Sequence, residues 1–137
     1  MEIKYEAIRD AISRVGLEDY TFFEAGGLDH CLVYEPQGDE KSPARYSYPS
    51  RQVNGADIIM WETIPEQFRR PVLLHEVAEV LLRKPNYQKS GFELGFEEAH
   101  LSAKEWDERF AKETLDRATL AEYLKYKSTF SEFLGQQ

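Results

Sequence analysis

The chain has 137 residues, of which 42% are hydrophobic and 13% aromatic, enough to build a core and too many for a disordered polypeptide. Its formal net charge is −8, with Lys and Arg scattered rather than clustered, which argues against nucleic acid as a partner. No apolar run reaches the roughly eighteen residues of a membrane-spanning segment. The single cysteine, Cys31, allows no intrachain disulfide and favours a reducing compartment, and Met1-Glu2-Ile3-Lys4-Tyr5-Glu6 lacks the apolar core of a secretory signal. The expectation is one cytoplasmic domain over residues 1–137.

Ile8, Ala11, Ile12 and Val15 recur at helical spacing and Gly16 follows as a stop, so an amphipathic helix is predicted over residues 4–15. A sheet region follows over residues 20–62. Its first two strands, Tyr20 to Phe23 and His30 to Tyr34, flank Gly26-Gly27 and suggest a hairpin. His30 reads as a strand or turn residue and Cys31 as a small buried apolar group. Glu35 to Ala44, with Pro36, Gly38 and Pro43, reads as a solvated and mobile loop. Tyr46 and Tyr48 then mark a weak edge strand that Pro49 ends, and Asp57-Ile58-Ile59-Met60-Trp61 is an apolar run of the kind buried on both faces of a sheet.

Pro65 to Arg69 forms a helical turn leading into the segment around which the chain is organised, a helix predicted over residues 71–84. Pro71 suits a first helical position, and Pro85 disfavours helical Lys84, so prolines mark both ends. From Val72 to Leu82 every residue is apolar except His75, Glu76 and Glu79, the pattern of a helix buried on all sides. Three ionisable groups are thereby carried inward, at a cost of several kcal/mol each, roughly, unless something pairs with them. His75 and Glu79, four apart, share one face with Cβ atoms roughly 5–6 Å apart, suited to holding a metal ion. Glu76 lies about 100° further round the helix, at the edge of the same site.

Beyond Pro85 the chain reads as a connection through Tyr87, Gly91 and Gly95 to a second helix over residues 96–113, whose stripe is Phe96, Ala99, Ala103, Trp106 and Phe110. His100 adjoins that stripe and can face inward. Further C-terminal helix is predicted over residues 115–134. For His75 the competing reading is a core histidine held by a carbonyl or carboxylate. Glu76 could instead pair with Arg70 or Arg83, and Glu79 with Arg69 or Arg70.

His75-Glu76-Val77-Ala78-Glu79 resembles the active-site helix of the zincin metallopeptidases, with Glu79 where those proteins usually carry a second histidine. In the gluzincin branch the third ligand is a glutamate on a later helix. The resemblance therefore implies an exchanged set of His75, Glu79 and His100, the last lying twenty-one positions beyond Glu79. Either Glu97 or Glu98 is an alternative third ligand. The likeness covers roughly Asp57 to Phe110. It implies an α+β, minimal zincin-like domain: a small, mostly antiparallel sheet packed against the active-site helix, with further C-terminal helices. It also implies bound zinc, a peptide or protein substrate, and Glu76 as general base, with iron or manganese as other ions the ligands would accept. By the same likeness Asp57 to Trp61 or Arg45 to Ser50 is the edge that holds the peptide. The sequence does not single out an oxyanion donor, for which Tyr87 and Tyr46 are both candidates. Two other functions are open: a binding or regulatory module that kept the fold without turnover, and a structural domain whose polar helix residues form an ion-pair network.

Overall fold

A computed structural model describes residues 3–36, 41–90 and 96–131, the side chains of 85–90 excepted. The first helix, α1 (Tyr5–Arg14), buries Tyr5, Ile8, Ala11 and Ile12 along one face. Its last carbonyls would be left unsatisfied, and Arg70 answers them: Nη1 donates to Ile12 O at 2.6 Å and Val15 O at 2.8 Å.

β1 (Thr21–Ala25) and β2 (Leu28–Glu35) form the expected antiparallel hairpin. Gly26 and Gly27 make its two-residue turn, both with positive φ (65° and 83°), the backbone that a tight hairpin of this twist demands. A Cβ on Gly26 would fall 2.6 Å from Leu81 Cδ1, so the turn rests directly on the central helix. The expected solvated loop falls partly on residues 37–40, outside the described residues.

β3 (Ala44–Ser47) and β4 (Asp57–Trp61) complete a mixed four-stranded sheet in the order β1-β2-β4-β3. Two of its three pairings are antiparallel, and the central one, β2 with β4, is parallel. With four helices the architecture is α+β. Because β4 bonds β2 on one side and β3 on the other, Asp57 to Trp61 has no free edge, which removes it as a peptide-holding edge. β3 is the edge on that side of the sheet.

A 3₁₀ turn, Glu66–Phe68, leads into α2 (Arg69–Ser90). Every residue from 71 to 81 is buried, the all-round burial that the apolar run requires. The helix does not stop at Lys84, however: it continues through Pro85 to Ser90, so the expected connection starts six residues later than the prolines imply. Proline costs the bond to the Leu81 carbonyl and crowds that carbonyl, a local penalty that tertiary context can override. α2 contacts β3, β4, α1 and, most extensively, α3 (Phe96–Thr114). α4 (Arg117–Lys127) follows, capped by Asp116, whose side chain accepts from Thr119 N at 2.8 Å. Among the described residues no helix is long and apolar enough to cross a membrane.

Candidate metal centre

Burial carries His75, Glu76 and Glu79 into the interior on α2, at 2%, 5% and 3% exposure. α3 supplies His100, 2% exposed. Glu97 and Glu98 beside it are exposed, so of these three residues only His100 is turned into the interior.

The convergence is on one atom. Glu79 Oε2 lies 2.7 Å from His75 Nε2 and 2.9 Å from His100 Nδ1, and the two rings meet edge to face with centroids 4.9 Å apart. One ligand atom from each of the three residues lies within 4.8 Å of the other two. Tetrahedral zinc ligands at about 2.0–2.1 Å stand roughly 3.3 Å from each other, so each of the two contacts to Glu79 Oε2 would open by about half an ångström around an ion. Two imidazoles and a carboxylate are a fitting donor set for zinc, iron or manganese. Glu76 Oε2 lies 4.0 Å from His75 Nε2, at the rim of the cluster rather than within it.

Behind His75 stands a carboxylate that its charged neighbours in the sequence conceal. Asp107 Oδ2 lies 2.6 Å from His75 Nδ1, and Asp107 is fully buried. A carboxylate on the far nitrogen of a ligating histidine fixes its tautomer and orientation, a recurrent companion of metal sites. Its sequence signal is its place four residues after Ala103 and three before Phe110, within the buried stripe. The buried face of α3 is wider than the expected stripe: Ala99, Ala103 and Phe110 are buried as expected, Trp106 is half-buried against Tyr5, and His100, Asp107 and Ala111 are buried beside them.

The electrostatics follow from these contacts. Burial alone lowers an imidazole's pKa, but the hydrogen bonds to Asp107 and Glu79, with both carboxylates' charges, more than reverse it and raise His75 to about 10. Burial alone raises a carboxyl, but the bonds from His100 and His75 lower Glu79 to about 2. Two ring N–H groups thus point at one carboxylate oxygen, the arrangement that a cation replaces when it takes the protons' place.

Neighbouring elements close the cluster. From the sheet edge, the Tyr46 hydroxyl donates to Glu79 Oε1 at 3.2 Å and accepts from Arg83 Nη1. Phe96 stacks on His100 with ring centroids 5.7 Å apart and an interplanar angle of 9°, and the Arg83 guanidinium lies 4.8 Å from the centre of the Phe96 ring. The expected pairing of Glu79 with Arg69 or Arg70 is not formed. Arg69 donates to the carbonyls of Ile64 and Glu62, and Arg70 to those of α1 and the following Val15. The side chain of Tyr87 lies outside the described residues.

His30 belongs elsewhere. Its Nε2 donates to Ala25 O at 3.0 Å and its Nδ1 accepts from Ala56 N at 3.1 Å, so both nitrogens are committed to main chain. Compared with known protein families, curated proteins and solved structures, the chain matches none.

Proposed function

We propose that this chain is a metal-dependent hydrolase acting on peptides, with an ion held by His75, Glu79 and His100 and with Glu76 as general base. The observation that carries the reading is the meeting of His75 and His100, from two helices, on a single oxygen of Glu79, with Asp107 behind the first ring. Zinc suits the set, and when bound it supplies Lewis acidity that brings a water's pKa toward neutrality and polarises a carbonyl.

The remaining work falls to side chains. Glu76, 4.0 Å from the His75 ring, takes a proton from the attacking water and delivers it to the leaving amine. Asp107 keeps the His75 ring turned toward Glu79. Tyr46, already within the cluster, is the candidate donor to the developing oxyanion. β3, which carries Tyr46 and has no strand beyond it among the described residues, is the sheet edge along which an extended peptide would lie.

One observation favours a second reading, a binding or regulatory module without turnover. His75, Glu76, Glu79 and His100 are each 5% exposed or less, so a substrate reaches them only if the structure opens. Elemental analysis of untagged protein, followed by Glu76→Gln, separates these outcomes. The hydrolase reading expects about one divalent ion per chain, peptide cleavage by the native protein, and loss of cleavage with retention of the ion in the variant. An ion without any cleavage supports the module. No ion, even after incubation with zinc, removes both.

A further inference from the structure

We propose that Tyr123 and Lys127, on α4, are positioning residues for the His75 imidazole and act on it through Asp107. The carboxylate of Asp107 is divided between two tasks: Oδ2 faces His75 Nδ1 at 2.6 Å, while Oδ1 accepts from Tyr123 Oη at 2.8 Å and from Lys127 Nζ at 2.7 Å. Two donors on one oxygen hold the carboxylate against rotation. The other oxygen is thereby aimed at the ring, and the ring's far nitrogen at Glu79.

The burial of Lys127 is what sets this apart from ordinary helix chemistry. A lysine in the last turn of a helix is favourable against the helix dipole, and the exposed Lys125 already serves that purpose. Lys127 is instead turned inward to 3% exposure, where an ammonium is costly to place, and its Nζ bonds Asp107 and, at 2.9 Å, Glu108. Tyr123 is 1% exposed, and its ring rests on Phe68 with centroids 5.4 Å apart, so packing places the ring and leaves the hydroxyl a separate role. The C-terminal helix therefore acts on an imidazole of the α2–α3 site without touching it. The inference deepens the metal-centre reading and rests on it for the second of two measurements.

The experiment compares the full chain with Tyr123→Phe, Lys127→Met and Lys127→Arg, each alone and in an Asp107→Asn background. The first measurement is made on protein dialysed against a chelator and follows the His75 Nδ1–H resonance by ¹H–¹⁵N NMR, assigned by its loss in His75→Gln. The resonance is expected to shift and exchange faster in Tyr123→Phe and Lys127→Met and to recover in Lys127→Arg. The second measurement is cobalt(II) affinity by visible absorption. Each of the first two variants is expected to bind about tenfold more weakly with Asp107 present and to add no loss in the Asp107→Asn background. An unmoved resonance in both variants overturns the proposal, as does an equal loss of cobalt affinity with and without Asp107. Should Lys127→Met fail to fold, Tyr123→Phe decides by the same criteria. A native chain that binds no cobalt defeats the metal reading alone, and the resonance still decides this inference.

Discussion

His30 and His75 are both buried, at 0% and 2% exposure, and their rings face opposite kinds of partner. At the hairpin end His30 is held between a main-chain carbonyl and a main-chain N–H, a pairing only the neutral ring can make, and burial lowers its pKa. At the helix end His75 lies between two carboxylates, which favour the charged ring. Burial to the same degree therefore gives opposite charge states, and the partners decide which. The neutral histidine staples a loop to a strand. The charged one occupies a place where a metal ion can substitute for protons.

The largest effect expected from this contrast is that of Asp107→Ala. It leaves the Lys127 ammonium and the His75 ring buried without the carboxylate they share, at a cost of about 3–5 kcal/mol in urea unfolding. Asp107→Leu combined with Lys127→Met removes both charges and is expected to recover a large part of that loss, since charge-free replacements of buried pairs are often neutral. His30→Gln exposes only neutral main-chain groups to loss of a partner and is expected to cost less, about 1–3 kcal/mol. Equal costs for Asp107→Ala and His30→Gln, with no recovery in the double variant, would erase the distinction between the two regions.

The distinction was only half legible in the sequence. The apolar run around His75, Glu76 and Glu79 announces three buried polar groups on one helix, and spacing of four places His75 beside Glu79. His100 was readable as facing inward because it borders an apolar stripe. Asp107 was not, because an aspartate among Lys104, Glu105, Glu108 and Arg109 reads as part of a solvated face, although it stands four residues after Ala103 and three before Phe110. Lys127 was hidden for a related reason: only the docking of α4 on α3 shows that this lysine turns inward while Lys125 does not. The hairpin was written in Gly26-Gly27, whereas the parallel pairing of β2 with β4 depends on contacts between distant segments that no local pattern specifies. The extension of α2 past Pro85 was concealed because proline states a preference that packing can override.

A smaller effect probes the hairpin end alone. Gly55 donates to Asp29 O at 2.8 Å, and a Cβ there would fall 2.4 Å from that same oxygen and 2.5 Å from His30 Nδ1. The carbonyl is main chain and the ring is pinned at both nitrogens, so neither can move aside cheaply. Gly55→Ala is expected to cost about 1–3 kcal/mol in urea unfolding while leaving metal affinity unchanged. A parallel fall in metal affinity would mean that the two ends are coupled after all.

The most delicate difference between the two regions is the sign of their pH dependence, read on protein freed of metal by chelation. The folded pKa of His30 is lowered, so as pH falls below about 6.5 the unfolded chain binds a proton that the native ring refuses, and stability falls with acidity. The folded pKa of His75 is raised to about 10, so its contribution is complete below the unfolded value of about 6.5 and is lost as pH rises toward the folded one. Each slope is at most about 1.4 kcal/mol per pH unit, and the two have opposite signs. His30→Gln is expected to flatten only the acid limb of stability against pH, and His75→Gln only the alkaline limb. Saturating zinc should also flatten the alkaline limb, because a coordinated imidazole has already given up the proton that produces it. An alkaline limb unchanged by zinc would show that the ion is held somewhere other than on His75.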